Sequence, residues 1–174
     1  METARQIVDE NEGQGKTSPA SLTSLISEHG PAMARVCMAL LGDAEGAEQA
    51  LEQVARDAGT KGGPPRGVSA RGWIFGLARA ACAARVSRLP LRTSTQLTGP
   101  QLPEAASPSA AARTTLAHLK PTEREAVVLH AVGGLDAADV AIACGVELAI
   151  ARSRIGQGMT KLAELPASAE GGSR

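Results

Sequence analysis

Apolar residues recur at helical spacing in two long blocks of this chain, and polar stretches without any period lie before, between and after them. The first block opens with Leu22, Leu25 and Ile26. Its stripe resumes beyond Gly30-Pro31 at Met33, Val36, Cys37, Leu40 and Leu41, the i, i+3, i+4, i+7, i+8 pattern of a helix with one buried face. Gly42 ends that helix. Asp43 is placed to cap the next, with Glu45 and Glu48 in its first turns, where the helix dipole favours acids. Ala47, Ala50, Leu51, Val54 and Ala55 form the expected buried face of this second helix. A Gly/Pro-rich basic loop, GTKGGPPRGVS (59–69), precedes a third helix with Trp73, Ile74, Leu77, Ala78, Ala81, Cys82 and Val86 inward.

In the second block a short helix ends near Leu119, and Pro121 sits in the first turn of the next, where its missing N–H costs nothing. Val127, Val128, Ala131 and Val132 line that helix until Gly133-Gly134. Asp136 caps a further helix carrying Val140, Ala141 and Cys144. Gly145 supplies a tight turn, and a last helix follows over 147–162. Ala141, Gly145 and Ala151 are small where two crossing helices and a left-handed turn need small residues, with Val140, Val146 and Ile150 to fill the core between them. This is the pattern of a helix-turn-helix; an ordinary helical hairpin is its plainer alternative.

The expected architecture is therefore all-α: two small helical domains, 20–88 and 111–165, joined by a flexible linker at 89–110, the second a helix-turn-helix. Residues 1–19 read as a disordered segment and 166–174 as a frayed tail. Composition agrees. Alanine is abundant, and the 174 residues hold one Trp, one Phe and no Tyr, which suits small helix–helix cores better than a sheet. The apolar runs are too short for a membrane span. Cys37, Cys82 and Cys144 lie far apart in apolar patterns and read as core residues in a reducing cytoplasm rather than as a disulfide framework or zinc site. His29, His118 and His130 have no metal-ligand spacing, and no cofactor is expected. Paired carboxylates, nucleophile–base sets and phosphate loops are not evident, so an enzyme is not expected; GQGKT (13–17) lacks the spacing and the preceding strand of a phosphate loop.

Three stretches in order give a family resemblance. HGPAMARVCMALLGDAEGAEQALEQV (29–54), ARGWIFGLARAACAARVSR (70–88) and LKPTEREAVVLHAVGGLDAADVAIACGVELAIARSRI (119–155) resemble the conserved stretches of an extracytoplasmic-function (group four) RNA polymerase sigma factor. The resemblance implies a core-binding, promoter-melting first domain and a promoter-reading second one. Glu45, Glu48, Gln49, Glu52 and Gln53 would dock on the clamp helices of the polymerase largest subunit. The loop 59–69 would capture a flipped base of the minus-ten element, and Arg71, Arg79, Arg85 and Arg88 would face the DNA there. Arg152, Ser153, Arg154, Gln157 and Lys161 would reach the major groove at the minus-thirty-five element. RNA polymerase core, promoter DNA and an anti-sigma factor are the implied partners.

The chain departs from that family in specific places. Gly46 and Gln49 stand where acids are usual, Ala55 where a large apolar residue is usual, and the loop is rich in Gly and Pro with Lys61 and Arg66. Net charge is zero, and from Leu119 to Leu165 five basic residues face six acidic ones. Phosphate neutralisation carries much of DNA affinity, so such a block is expected to bind weakly. Glu147 is either a helix-capping carboxylate in the first turn of the last helix or a group that repels phosphate. Gly156 and Gly158 each cost about 1 kcal/mol in a helix interior relative to alanine. These departures favour an alternative reading: a degenerate sigma-like regulator that works through protein contacts, as an anti-sigma decoy or part of another complex.

Overall fold

The computed structural model describes residues 19–88 and 114–165, and every regular element among them is helical. The expected disordered segment (from residue 18 back), the linker at 89–110 and the tail at 166–174 lie outside the described residues. Six helices are numbered here: α1 Pro19–Leu41, α2 Ala44–Lys61, α3 Ala70–Arg88, α4 Pro121–Val127, α5 Ala137–Cys144 and α6 Leu148–Glu164. A single helical turn at 114–117 precedes α4, and a π-helical segment, Val128–Val132, continues it.

Local chemistry sets the ends of these helices. Asp43 accepts from the Gly46 amide at the start of α2, and Asp136 accepts from the Asp139 amide, at 2.8 Å, at the start of α5. The carboxylate of Asp43 crowds residue 46: a Cβ there would lie 2.7 Å from both its oxygens, so the glycine fits beneath its own cap. Ser69 accepts from the Gly72 amide at 3.2 Å and starts α3. Gly145 closes α5 in the left-handed conformation (φ 65°), and the Val146 amide reaches back to the Ala141 carbonyl at 3.0 Å.

Several sequence expectations are corrected. α1 runs unbroken through Pro31, which stands on its exposed side. α2 continues to Lys61, shortening the loop before α3. Ala55, Val86 and Ile150, expected inside, are exposed, and so is Ala131. The π-helical segment widens the turn after α4 and rotates the face that follows. It buries Leu129 fully instead. Phe75, between two expected core positions, is fully buried as well.

The two blocks share one hydrophobic core. Met33, Val36 and Cys37 of α1, Ala50 and Val54 of α2, and Ile74, Phe75 and Ala78 of α3 are continuous with Val128, Leu129, Leu135, Val140 and Ala143 of the second block. Burying a side chain such as Val, Leu, Ile, Phe or Met contributes roughly 1.5–3 kcal/mol over leaving it exposed. Cys37 and Cys82 meet inside this core. The hydrogen bond that Cys82 donates to Cys37, reinforced by burial, raises the Cys82 thiol well above its ordinary range, and burial raises Cys144 too. Cys82 and Cys144 are thus held as thiols at neutral pH, while the same hydrogen bond lowers Cys37.

Candidate polymerase and nucleic-acid interface

α2 carries the residues expected to meet polymerase. Glu45, Glu48, Gln49 and Glu52 are exposed and Gln53 is half-buried, so they form one polar face of the helix. Links along the helix order it: Gln49 donates to Glu45 at 3.0 Å, Gln53 to Asp57 at 2.7 Å, and Arg56 pairs with Glu52 at 3.6 Å. Between this face and α3 runs an open groove of about 740 Å³, with Glu52, Gln53 and Asp57 on one wall and Ala81, Ala84 and Arg85 on the other. Arg85 crosses the groove to donate to the Gln49 side-chain oxygen. It joins two residues expected to act separately, one on polymerase and one on DNA.

The other arginines of α3 turn toward the second block. Arg71 donates to the carbonyls of Gly133 (3.2 Å) and Gly134 (2.8 Å), just after the π-helical segment. Its Nε is buried and, among the described residues, without a hydrogen-bond partner. Arg79 donates to the Ala143 carbonyl at 2.9 Å, near the C-terminal end of α5, and pairs with Glu125 at 3.2 Å. Cationic side chains suit helix C-termini, where carbonyls lack partners. Arg88 closes α3, and its side chain lies outside the described residues.

α5 and α6 form the helix-turn-helix. Ala141 and Ala151 are buried where the two helices meet, and Gly145 makes the turn between them. α6 exposes Arg152, Ser153 and Gln157, with Arg154 half-buried; Gln157 donates to Ser153 at 3.1 Å. Lys161, expected at DNA, instead binds both oxygens of Glu123 at 2.7 Å. The Lys161 ammonium holds the Glu123 carboxyl below the usual carboxylate range, against the opposing effect of burial, and the Lys120 amide adds to it. Glu147 stands at the N-cap of α6 with no side-chain capping bond and is exposed, so the capping reading is not realised. Leu148, Ile150 and Met159 are also exposed on α6.

Sequence reasoning missed three elements of this arrangement. Arg124 donates to the carbonyls of Leu116, Ala117 and Leu119 and ties the turn at 114–117 to α4. Glu123 is a buried partner, though it reads as a surface acid. Gly158 is buried, and a Cβ there would lie 2.5 Å from Val127 Cγ2. The glycine read as a helix defect is where α6 closes on α4. Local sequence carries no sign of these roles, because each partner is supplied by tertiary packing. Among the described residues, no group of three or more His, Cys, Asp and Glu could hold a metal, and no helix is long and apolar enough to cross a membrane.

A sigma-70 region 4 family profile matches residues 109–162. No curated protein sequence matches the chain. Solved structures match across both blocks. CnrH, in complex with the cytosolic domain of CnrY, is similar at 19 % identity and a TM-score of 0.62, covering 83 % of this chain and 86 % of that one. The sigma factor RpoE in complex with the anti-sigma factor NepR from Bartonella quintana gives 18 %, 0.65, 82 % and 94 % in the same order. The PhyRSL–NepR complex from Sphingomonas sp. Fr1 gives 20 %, 0.63, 88 % and 97 %. Residues 109–162 thus match the sigma-70 region 4 family, and across both blocks the chain shares the all-helical fold of these solved structures. These likenesses support a sigma-factor-like role.

Proposed function

We propose that this protein is a cytoplasmic sigma-type initiation factor that binds RNA polymerase core through α2 and directs it to promoters through α3 and α6. The observation that carries this reading is the region 4 helix-turn-helix with Arg152, Ser153 and Gln157 exposed on its second helix. The polar α2 face, with Glu45, Glu48 and Glu52 open to solvent, supports the polymerase contact. Reconstitution with polymerase core tests it. The chain is expected to be retained by core and to start transcripts from a cognate promoter. Glu48→Arg is expected to weaken retention, and Arg152→Ala with Arg154→Ala to abolish promoter binding while retention persists. If core does not retain the wild-type chain, the reading fails.

A second reading, a degenerate sigma-like regulator acting through protein contacts, has its own observation. Lys161 is tied to Glu123, and Leu148, Ile150 and Met159 lie exposed on α6, apolar side chains better suited to protein than to phosphate. Binding of an anti-sigma protein without promoter binding would favour it.

A further inference from the structure

Two thiols meet in the part of the core where α1 packs against α3. Cys37 of α1 is fully buried and Cys82 of α3 is 2 % exposed, and the Cys82 thiol donates a hydrogen bond to the Cys37 sulfur. That bond favours negative charge on Cys37 and keeps the proton on Cys82. Cys82 also lines a groove of about 320 Å³ that opens to solvent. Leu40, Arg79, Val86, Pro121 and Glu125 share the lining, and Val86 is 58 % exposed. A molecule little larger than water, whose share of the liquid is about 30 Å³, fits such a space. The third cysteine differs. Cys144 is half-buried, more exposed than the other two, and burial holds its proton. Exposure alone would make Cys144 the first to oxidise, and the paired geometry reverses that order.

We propose that Cys37 and Cys82 form a reversible oxidation site, a dithiol that hydrogen peroxide converts to a disulfide inside the folded chain. The site stands independently of the sigma-factor reading. Cys37, as thiolate, attacks one peroxide oxygen: an S–O bond forms, the O–O bond breaks, and the departing hydroxide takes the Cys82 proton and leaves as water. The Cys82 sulfur, now a thiolate, attacks the Cys37 sulfenic acid. An S–S bond forms and the S–O bond breaks. The hydroxide released takes up the proton that Cys37 had given to solvent. In all, two thiols lose two electrons and two protons, and one peroxide becomes two waters. Because the resolving thiol already touches its target, the sulfenic acid is consumed before further oxidation. The bond joins α1 to α3 and closes the chain between them, all of α2 included, into a loop. Under a reducing poise such a bond is transient, undone by thiol exchange, and it marks exposure to oxidant rather than serving as a permanent staple.

The test uses the full wild-type chain, reduced and then freed of reductant. It is treated with hydrogen peroxide in native buffer, and the remaining thiols are blocked with N-ethylmaleimide in guanidinium chloride. Trypsin leaves the three cysteines on separate peptides, 36–56, 80–85 and 125–152. Mass spectrometry is expected to show 36–56 joined to 80–85 with the loss of two hydrogens, while 125–152 carries the maleimide. Dithiothreitol is expected to undo the link. Cys82→Ser keeps a hydroxyl donor beside Cys37 and removes the resolving sulfur, so dimedone is expected to trap a sulfenic acid on Cys37. In Cys37→Ser, Cys82 is expected to stay unlabelled by dimedone. The reverse labelling would overturn the assignment of Cys37 as the attacking sulfur. Should either variant not fold, as read by far-ultraviolet circular dichroism, the wild-type link decides alone. Oxidation that falls on Cys144 while 36–56 and 80–85 carry maleimide overturns the site. So does a link between those two peptides that appears only when peroxide is added to the urea-unfolded chain.

Discussion

Gly156 and Gly158 stand two residues apart on α6 and do different work. A Cβ on Gly156 meets nothing within 4 Å, whereas one on Gly158 meets Val127 Cγ2 at 2.5 Å. Val127 is itself only 2 % exposed, so it has little room to yield. Gly156→Ala should raise stability by about 1 kcal/mol, the helix-propensity difference. Gly158→Ala should lower it by roughly 1–3 kcal/mol through overpacking, despite the same gain in propensity. Urea unfolding of the two variants measures both, and Gly158→Ala combined with Val127→Ala should be less destabilised than the sum of the single changes. Equal effects of the two alanines would remove the close α4–α6 approach from the account. From sequence alone both glycines look like weaknesses in a recognition helix. Only the approach of α4 separates one that spaces two helices from one that does not.

The end of α6 is fixed by the ion pair of Lys161 with Glu123, and this gives the element a pH dependence. The folded carboxyl of Glu123 is held below its ordinary range by Lys161. A depressed acid contributes stability that is present above the unfolded pKa, about 4.3, and is lost as pH falls through the folded value. The melting temperature should therefore drop on acidification below about pH 4. Glu123→Gln should lower it at neutral pH and flatten that part of the acid limb, because the group then no longer titrates. An acid limb unchanged by Glu123→Gln would show that the pair does not couple folding to pH. At this scale the sequence was most informative. Asp43, Asp136, Pro121 and Gly145 mark helix ends through chemistry confined to one turn, and all four act as read. The π-helical segment and the partners of Arg71, Arg79, Arg124 and Lys161 were not legible, since they are fixed by residues about 5 to 64 positions away. The expected site was accordingly legible in its residue types but not in its disposition: the α2 face and Arg152, Ser153 and Gln157 are open, while Arg71, Arg79 and Lys161 are engaged inside the fold.

The whole molecule behaves as two blocks in sequence and one in packing. Val36 of α1 illustrates why: it is fully buried, and a Cβ on Gly133 in the second block would lie 3.1 Å from its Cγ2. Exposing that surface means uncovering Leu129, Leu135 and Val140 with it, all at most 1 % exposed. A chain whose halves cover one another in this way should unfold as a unit, since neither half keeps its core when the other leaves. Urea unfolding followed by Trp73 fluorescence, which reports α3, and by amide exchange in α4 and α6, which reports the second block, should give one midpoint. Gly72→Leu, which strains the join without touching the interior of either block, should pull the two midpoints apart, since even a Cβ there would lie 2.9 Å from Ile142 Cβ. The less stable block then melts first, and the amount of separation measures how much stability each half draws from the other. Two midpoints already in the wild-type chain would mean that the shared core contributes little, and that each block is held by its own helices alone.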